Sequence, residues 1–224
     1  EGFAGEWCPV RYGLTGSTGR MGKEIIEVFK GHDLVLEVND TGIFRHGEPE
    51  VIVDFSNREV LKTTIELAAQ FGAGVVIGTT ALSQSDLTSL RTLSEKVPVI
   101  QSYNFSTGIN IMKMILREFS PLLKDFEAEL IETHHSGKKD APSGTALMLK
   151  DATERDLPIH SLRVGGVPGD HSIVFANEGE VIEITHRAIS RKVFAIGALT
   201  AARFCLEHEK GFYSFEEVIR WTQR

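Results

Sequence analysis

The sequence predicts an α/β protein of two domains, and three observations carry that prediction. A short apolar strand at residues 10–15 runs into Gly16-Ser17-Thr18-Gly19-Arg20-Met21-Gly22 and then into an apolar-periodic helix that ends near Gly31. From there to Gln101 strand and helix patterns alternate, the rhythm of a parallel sheet with right-handed crossovers. Three β-rich segments at 160–164, 172–176 and 181–187, separated by Gly- and Pro-containing turns, point instead to a second, mixed sheet. The fold expected is a Rossmann-type parallel-sheet dinucleotide-binding domain plus a mixed α+β domain.

Each element of the first domain has its own reason. An early glycine permits the tight turn after the first strand, the next lets backbone approach a pyrophosphate, and Gly22 allows the helix to pack on the strand. Arg20 can then reach a phosphate. The next strand, at 34–38, ends in Asn39 and Asp40, about twenty residues past the glycines, where an acid often bonds the adenosine ribose. Strands at 50–55, 73–78 and 97–101 alternate with helices at 58–71 and 83–96, the latter opened by a Ser83/Asp86 capping pair. Gly78-Thr79-Thr80 and Ser102-Tyr103-Asn104-Phe105 fall at carboxyl ends of strands, where open α/β sheets bind ligands.

The rest of the chain sets the domain limits. Residues 107–126 read as one long amphipathic helix with Ile109, Met112, Ile115, Leu116, Phe119 and Leu123 on a core-facing stripe. After the β-rich block, residues 192–209 return to helix with close-packing alanines, and Ser214 caps a last short helix. That return places 192–224 with 1–106 in the first domain and leaves 107–191 as the second.

Composition excludes several function classes. A chain of 224 residues that is 42% hydrophobic can bury a sizeable core. Its net charge of −7, with no basic stripe interleaved with aromatics, argues against a nucleic-acid surface, so any anionic ligand needs a local positive site. No apolar run is long enough to span a bilayer, and residues 1–9, an extension with no assigned role, lack the pattern of a signal peptide. A cytoplasmic protein without membrane partners is expected. Cys8 and Cys205 have no disulfide, zinc or redox spacing.

Residues 129–147 are read as the reaction centre. Two imidazoles (His134, His135), two ammonium groups (Lys138, Lys139) and the helix start Pro142-Ser143-Gly144-Thr145 crowd a strand-to-helix connection, where chemistry is more common than packing. Ser143 is a good N-cap, and the open N–H groups of the first turn at Gly144 and Thr145 make an anion site suited to a carboxylate. Metal binding is not expected, because successive side chains of an extended segment point to opposite faces and His134 and His135 cannot easily share one ion. A short-chain dehydrogenase is excluded by its Tyr-x-x-x-Lys pair, since Tyr12, Tyr103 and Tyr213 all lack a lysine four residues on.

These motifs resemble one family closely, the 4-hydroxy-tetrahydrodipicolinate (dihydrodipicolinate) reductases. The resemblance rests on the Gly16–Gly22 turn, Gly78-Thr79-Thr80, Asn104-Phe105-Ser106, the His-His-x-x-Lys-x-Asp-x-Pro-Ser-Gly-Thr-Ala run and Arg191. It implies NADH or NADPH as cofactor, a small dicarboxylate substrate and a homotetramer built through the second domain. It further implies His134 as catalytic acid/base, Lys138 as proton donor, and His135, Gly144 and Thr145 as substrate contacts. Cofactor contacts are implied at Gly16, Ser17, Thr18, Gly19, Arg20 and Met21, at Gly78, Thr79 and Thr80, and at Ser102, Tyr103, Asn104 and Phe105. Asn39 stands where many relatives place the ribose-binding acid, with Asp40 beside it, so both cofactors are expected to work.

Overall fold

The computed structural model describes residues 8–223; most of the extension read at residues 1–9 therefore lies outside the described residues. The first half of the chain alternates β1 (Arg11–Thr15), α1 (Arg20–Val28), β2 (Asp33–Asn39), β3 (Gly42–Arg45), β4 (Val51–Asp54), α2 (Leu61–Phe71), β5 (Gly74–Ile77), α3 (Gln84–Ser94) and β6 (Pro98–Gln101). Then come α4 (Thr107–Phe119), β7 (Glu127–His134), α5 (Gly144–Thr153), β8 (Ile159–Arg163), β9 (Asp170–Ala176) and β10 (Val181–Arg187). The chain closes with α6 (Lys192–Glu207), β11 (Gly211–Tyr213) and α7 (Phe215–Trp221). It divides into two compact units, one running to Ser102 and resuming at Ala195, the other spanning Tyr103–Phe194.

The first unit holds a seven-stranded sheet in the order β11-β6-β5-β4-β1-β2-β3. Every pairing is parallel except β2 with β3. All residues of β4 and β5 are buried, as central strands covered on both faces must be. At the end of β4, buried Asp54 accepts from the hydroxyls of Thr64 (2.7 Å) and Thr79 (2.8 Å) and from the Ser56 amide (3.0 Å). One carboxylate thereby ties the ends of two strands to α2.

Two strands were not predicted. β3 turns back on β2 because the Asn39 side-chain carbonyl accepts from the Thr41 amide (2.9 Å) and hydroxyl (2.6 Å), a local turn that makes a hairpin. β11 has only three residues, all half-buried, so it carries no alternation to read. The helix read over 107–126 is also shorter than expected. It ends at Phe119 and tightens into a 3₁₀ turn over Ser120–Leu123, where Pro121 cannot supply the next helical N–H. Phe119 consequently leaves the core stripe and is 52% exposed.

The second unit packs α4 and α5 on the inner face of a four-stranded sheet ordered β10-β9-β7-β8. The sheet is mixed, with β7 parallel to β8 and antiparallel to β9. Side chains alternate along β7, and Ala128, Leu130, Glu132 and His134 all turn inward. Register then sets the rows across the sheet: Leu130 lies beside Ile173 and Ile159, in an apolar row that packs with Phe175 and Leu149. Two residues further on, the row is Ser161, Glu132, His171 and His186. The same face changes from apolar to polar within one pleat.

Burying His171 in that row has a measurable consequence. Removal from water, aided by the neighbouring His134, lowers its pKa from 6.5 to about 3. The unfolded chain therefore binds a proton that the folded chain refuses between those two values, and stability present above pH 6.5 is lost as pH falls through that window. In His171→Gln, the fall in unfolding free energy between pH 6 and 5 is expected to be shallower than in the parent by about one proton, ~1.4 kcal/mol per pH unit. Urea titrations at the two pH values check this, and parallel slopes would contradict it.

Candidate active site

The glycine turn of the first unit follows from its backbone. Gly16 adopts φ +86°, a conformation that disfavours other residues, and its amide continues the ladder to the Val38 carbonyl at 2.7 Å. A Cβ on Gly22 would stand 2.3 Å from the Gly16 carbonyl oxygen, so only glycine lets α1 pack on this turn. Gly19 caps α1 in an extended conformation with no side-chain cap, which leaves the first-turn N–H groups to a ligand. Thr18, Gly19 and Arg20 are exposed and Met21 half-buried.

Other expected cofactor residues divide into those open to a ligand and those engaged in the fold. Ser17 is buried and its hydroxyl accepts from the Asn39 amide at 3.2 Å, while the Asn39 carbonyl serves the β2–β3 turn. Asn39 thus holds the turn together, and Asp40 is the exposed acid at its tip. Gly78 is pressed against Phe55, whose ring would lie 2.3 Å from an added Cβ; Thr79 is buried on Asp54, and Thr80 is exposed. Ser102 belongs to the first unit, where its amide donates to the Ile77 carbonyl. Tyr103, Asn104 and Phe105 belong to the second. Phe105 is buried, Tyr103 is 38% exposed, and the Asn104 amide donates to the Thr145 hydroxyl at 3.1 Å.

In the second unit the strand period separates the adjacent histidines. His134 points inward and is buried, whereas His135 is half-buried on the following residue. His134 Nδ1 is hydrogen-bonded to Glu132 Oε2. Glu132 is wholly buried, and its other oxygen accepts from Arg163 Nη2 at 2.7 Å and from the Ser143 amide at 3.3 Å. Arg163 also donates to the Asp140 carbonyl at 2.6 Å, pinning the loop that carries the lysines. Lys138 donates to the Asp140 carboxylate at 2.7 Å, and Lys139 is exposed.

The start of α5 closes the site. Ser143 caps the helix by accepting from the Ala146 amide at 3.1 Å, and its hydroxyl lies 3.4 Å from His171 Nε2. A Cβ on Gly144 would meet nothing within 4 Å, so the approach to this helix end is open. Thr145 is 7% exposed beside Asn104. His134, Lys138 and the α5 start thus belong to one end of the sheet of the second unit, and the glycine turn belongs to the first.

Electrostatics hold the Glu132 carboxyl ionised and work against a charge on the His134 imidazole. Burial alone would push the Glu132 pKa up, but hydrogen bonds from Arg163 and Ser161 and the charges of His134 and Arg163 outweigh it and hold it at about 2. Burial lowers the His134 pKa, with the Glu132 charge opposing and Lys138 assisting. Ligand atoms of Glu132, His134 and His171 lie within 4.8 Å of one another, a spacing that a metal ion could use. This trio is not the adjacent histidine pair considered from sequence, and Arg163 on the Glu132 carboxylate opposes a further cation there.

Glu132, Arg163 and His171 were not singled out from the sequence. The alternation Glu132-Thr133-His134 was a usable signal, since it sets acid and imidazole on one face two residues apart. Arg163 and His171 had none, because only strand register brings them in.

Residues 39–105 match the family model described as dihydrodipicolinate reductase, N-terminus, and residues 108–219 match dihydrodipicolinate reductase, C-terminus. The 4-hydroxy-tetrahydrodipicolinate reductase of Thermosipho africanus is 51% identical over 94% of this chain and 98% of its own length. That of Zymomonas mobilis is 36% identical over 94% and 97%. Among solved structures, a dipicolinate-bound dihydrodipicolinate reductase from a Paenisporosarcina species has the same fold at TM-score 0.73 and 22% identity, covering 92% of this chain and 97% of that one. Matched across nearly its whole length, the chain belongs to the dihydrodipicolinate reductase family.

Proposed function

We infer that the chain reduces 4-hydroxy-tetrahydrodipicolinate to tetrahydrodipicolinate with NADH or NADPH, in the diaminopimelate route of lysine biosynthesis. The observation that carries this reading is a buried imidazole, a half-buried ammonium and an open helix start at one end of a single sheet. A dicarboxylate imine needs what these groups offer: anion binding and a positioned proton. The dinucleotide fits the first unit, where Gly16, Gly22 and the side-chain-free cap at Gly19 leave the α1 start to a pyrophosphate.

When bound, the nicotinamide supplies the hydride. Residues 16–21, 78–80 and 102–105 hold the dinucleotide, Thr79 and Phe105 through backbone because their side chains are buried. Asn39 and Asp40 would lie at the ribose, Asn39 being engaged with Ser17 and Thr41 as well. Gly144 and Thr145 hold one substrate carboxylate with their amides. The Thr145 hydroxyl accepts from Asn104, so its hydrogen is directed to the ligand. His135 contacts the substrate on the other side of the strand end. Lys138, oriented by Asp140, delivers the proton, and His134 exchanges protons as acid/base.

The chain assembles as a cytoplasmic homotetramer through the outer face of the four-stranded sheet. That face carries Ile131 (38% exposed), Leu162 (47%) and Val181 (66%) among polar side chains, and apolar surface of this kind suits a partner copy. No helix among the described residues is long and apolar enough to cross a membrane. Sedimentation is expected to give four times the chain mass of 24.8 kDa, and a monomer would contradict the assembly.

Steady-state oxidation of NADH and NADPH with enzymatically generated substrate tests the activity, and no oxidation with either cofactor would refute it. His134→Ala and Lys138→Ala are each expected to lower kcat by about 10²-fold or more, the scale of losing a positioned acid or base. Thr145→Val should mainly raise KM, because its contact is equal in ground and transition states. If Lys139→Ala is as damaging as Lys138→Ala, Lys138 is not the donor.

A further inference from the structure

We propose that Glu132 is the positioning residue of His134: its carboxylate accepts the Nδ1 hydrogen, fixing the imidazole tautomer so that Nε2 is the nitrogen offered to substrate. This rests on the reading of His134 as the acid/base.

Three observations converge on it. The first is that the Glu132 carboxylate cannot turn. It is wholly buried, and Oε1 is held by Arg163 Nη2 at 2.7 Å and the Ser143 amide at 3.3 Å, both of which are donors only. Oε2 is therefore left as the acceptor for His134 Nδ1, and the imidazole must be the donor. An imidazole whose one nitrogen is committed to a carboxylate has its ring orientation and its second nitrogen fixed together.

The second observation concerns the space at Nε2. A Cβ on Gly169 would stand 3.0 Å from His134 Nε2, so a side chain at 169 would crowd the nitrogen that Glu132 leaves unbound. The third is the neighbour on the remaining side. The His171 ring meets the His134 ring edge-on with centroids 5.1 Å apart, while its own Nε2 faces the Ser143 hydroxyl. Ser143 Oγ already accepts from the Ala146 amide, so its hydrogen is available to His171 Nε2. His171 thus walls the imidazole without competing for Glu132.

Glu132→Gln separates positioning from bulk. Its carbonyl must face Arg163 and the Ser143 amide, because those donors cannot accept, and its NH₂ must then face His134 Nδ1. That forces the imidazole hydrogen onto Nε2, the wrong tautomer, with shape nearly unchanged. The expected result is a kcat lower by roughly 10²-fold with KM within about threefold, because orientation and not binding is lost. Histidine-ring ¹H–¹⁵N NMR should show His134 protonated on Nδ1 in the parent and on Nε2 in the variant.

The same spectrum of the parent protein keeps the test open should the variant fail to fold: a parent His134 protonated on Nε2 overturns the proposal alone. So does a Glu132→Gln enzyme with parental kcat while His134→Ala is crippled. A His134→Ala enzyme with full kcat overturns the reading of His134 as acid/base and this proposal with it.

Discussion

The buried carboxylate of Glu132 is the constraint around which the polar cluster of the second unit is built. An ionised group with no exposed surface is tolerated only when paired and fully hydrogen-bonded. Here the four partners come from three places in the chain: Ser161 and Arg163 on β8, the Ser143 amide at the start of α5, and His134 on the same strand as Glu132. Satisfying that one charge fixes where α5 begins, where the lysine loop is tied down through Arg163 and Asp140, and which way His134 faces. An apolar residue at 132 would relieve the desolvation cost and leave Arg163, the Ser143 amide and His134 Nδ1 without their shared acceptor.

The sheet explains how this polar site coexists with a core. Along one inner face, Ala128 and Leu130 pack with Phe175 and Ile173 under α4 and α5, and the next two rows are polar. The apolar rows supply the hydrophobic stabilisation, and the rigid strands carry the same register into the site. The placement of Glu132, His134 and the open start of α5 is thus inherited from pairing that the core enforces. The glycine turn of the first unit depends on a separate device, the close approach of backbone at Gly16 and Gly22.

Much of this was legible in the sequence because it is local. The α/β alternation, the glycine turn, the Ser83/Asp86 and Ser143 caps and the crowding of imidazoles and ammonium groups at 134–139 all follow from neighbours a few positions apart. What failed to show was set by geometry over longer distance or by a single breaker. Pro121 ended α4 early and exposed Phe119; the Asn39 side chain built the β2–β3 hairpin; three residues of β11 carried no pattern. In the site, Arg163 and His171 lie 31 and 39 residues from Glu132 in sequence terms and adjoin it only through strand register. Glu132 itself was visible from the period of two.

A crystal structure of the protein with NADH and the planar dicarboxylate dipicolinate tests the central claim most directly. It is expected to place one carboxylate on the amides of Gly144 and Thr145, with His134 Nε2 and Lys138 Nζ facing the ring and Glu132 still on Nδ1. A dicarboxylate bound away from the start of α5, or a His134 ring turned so that Nδ1 faces the ligand, would contradict it.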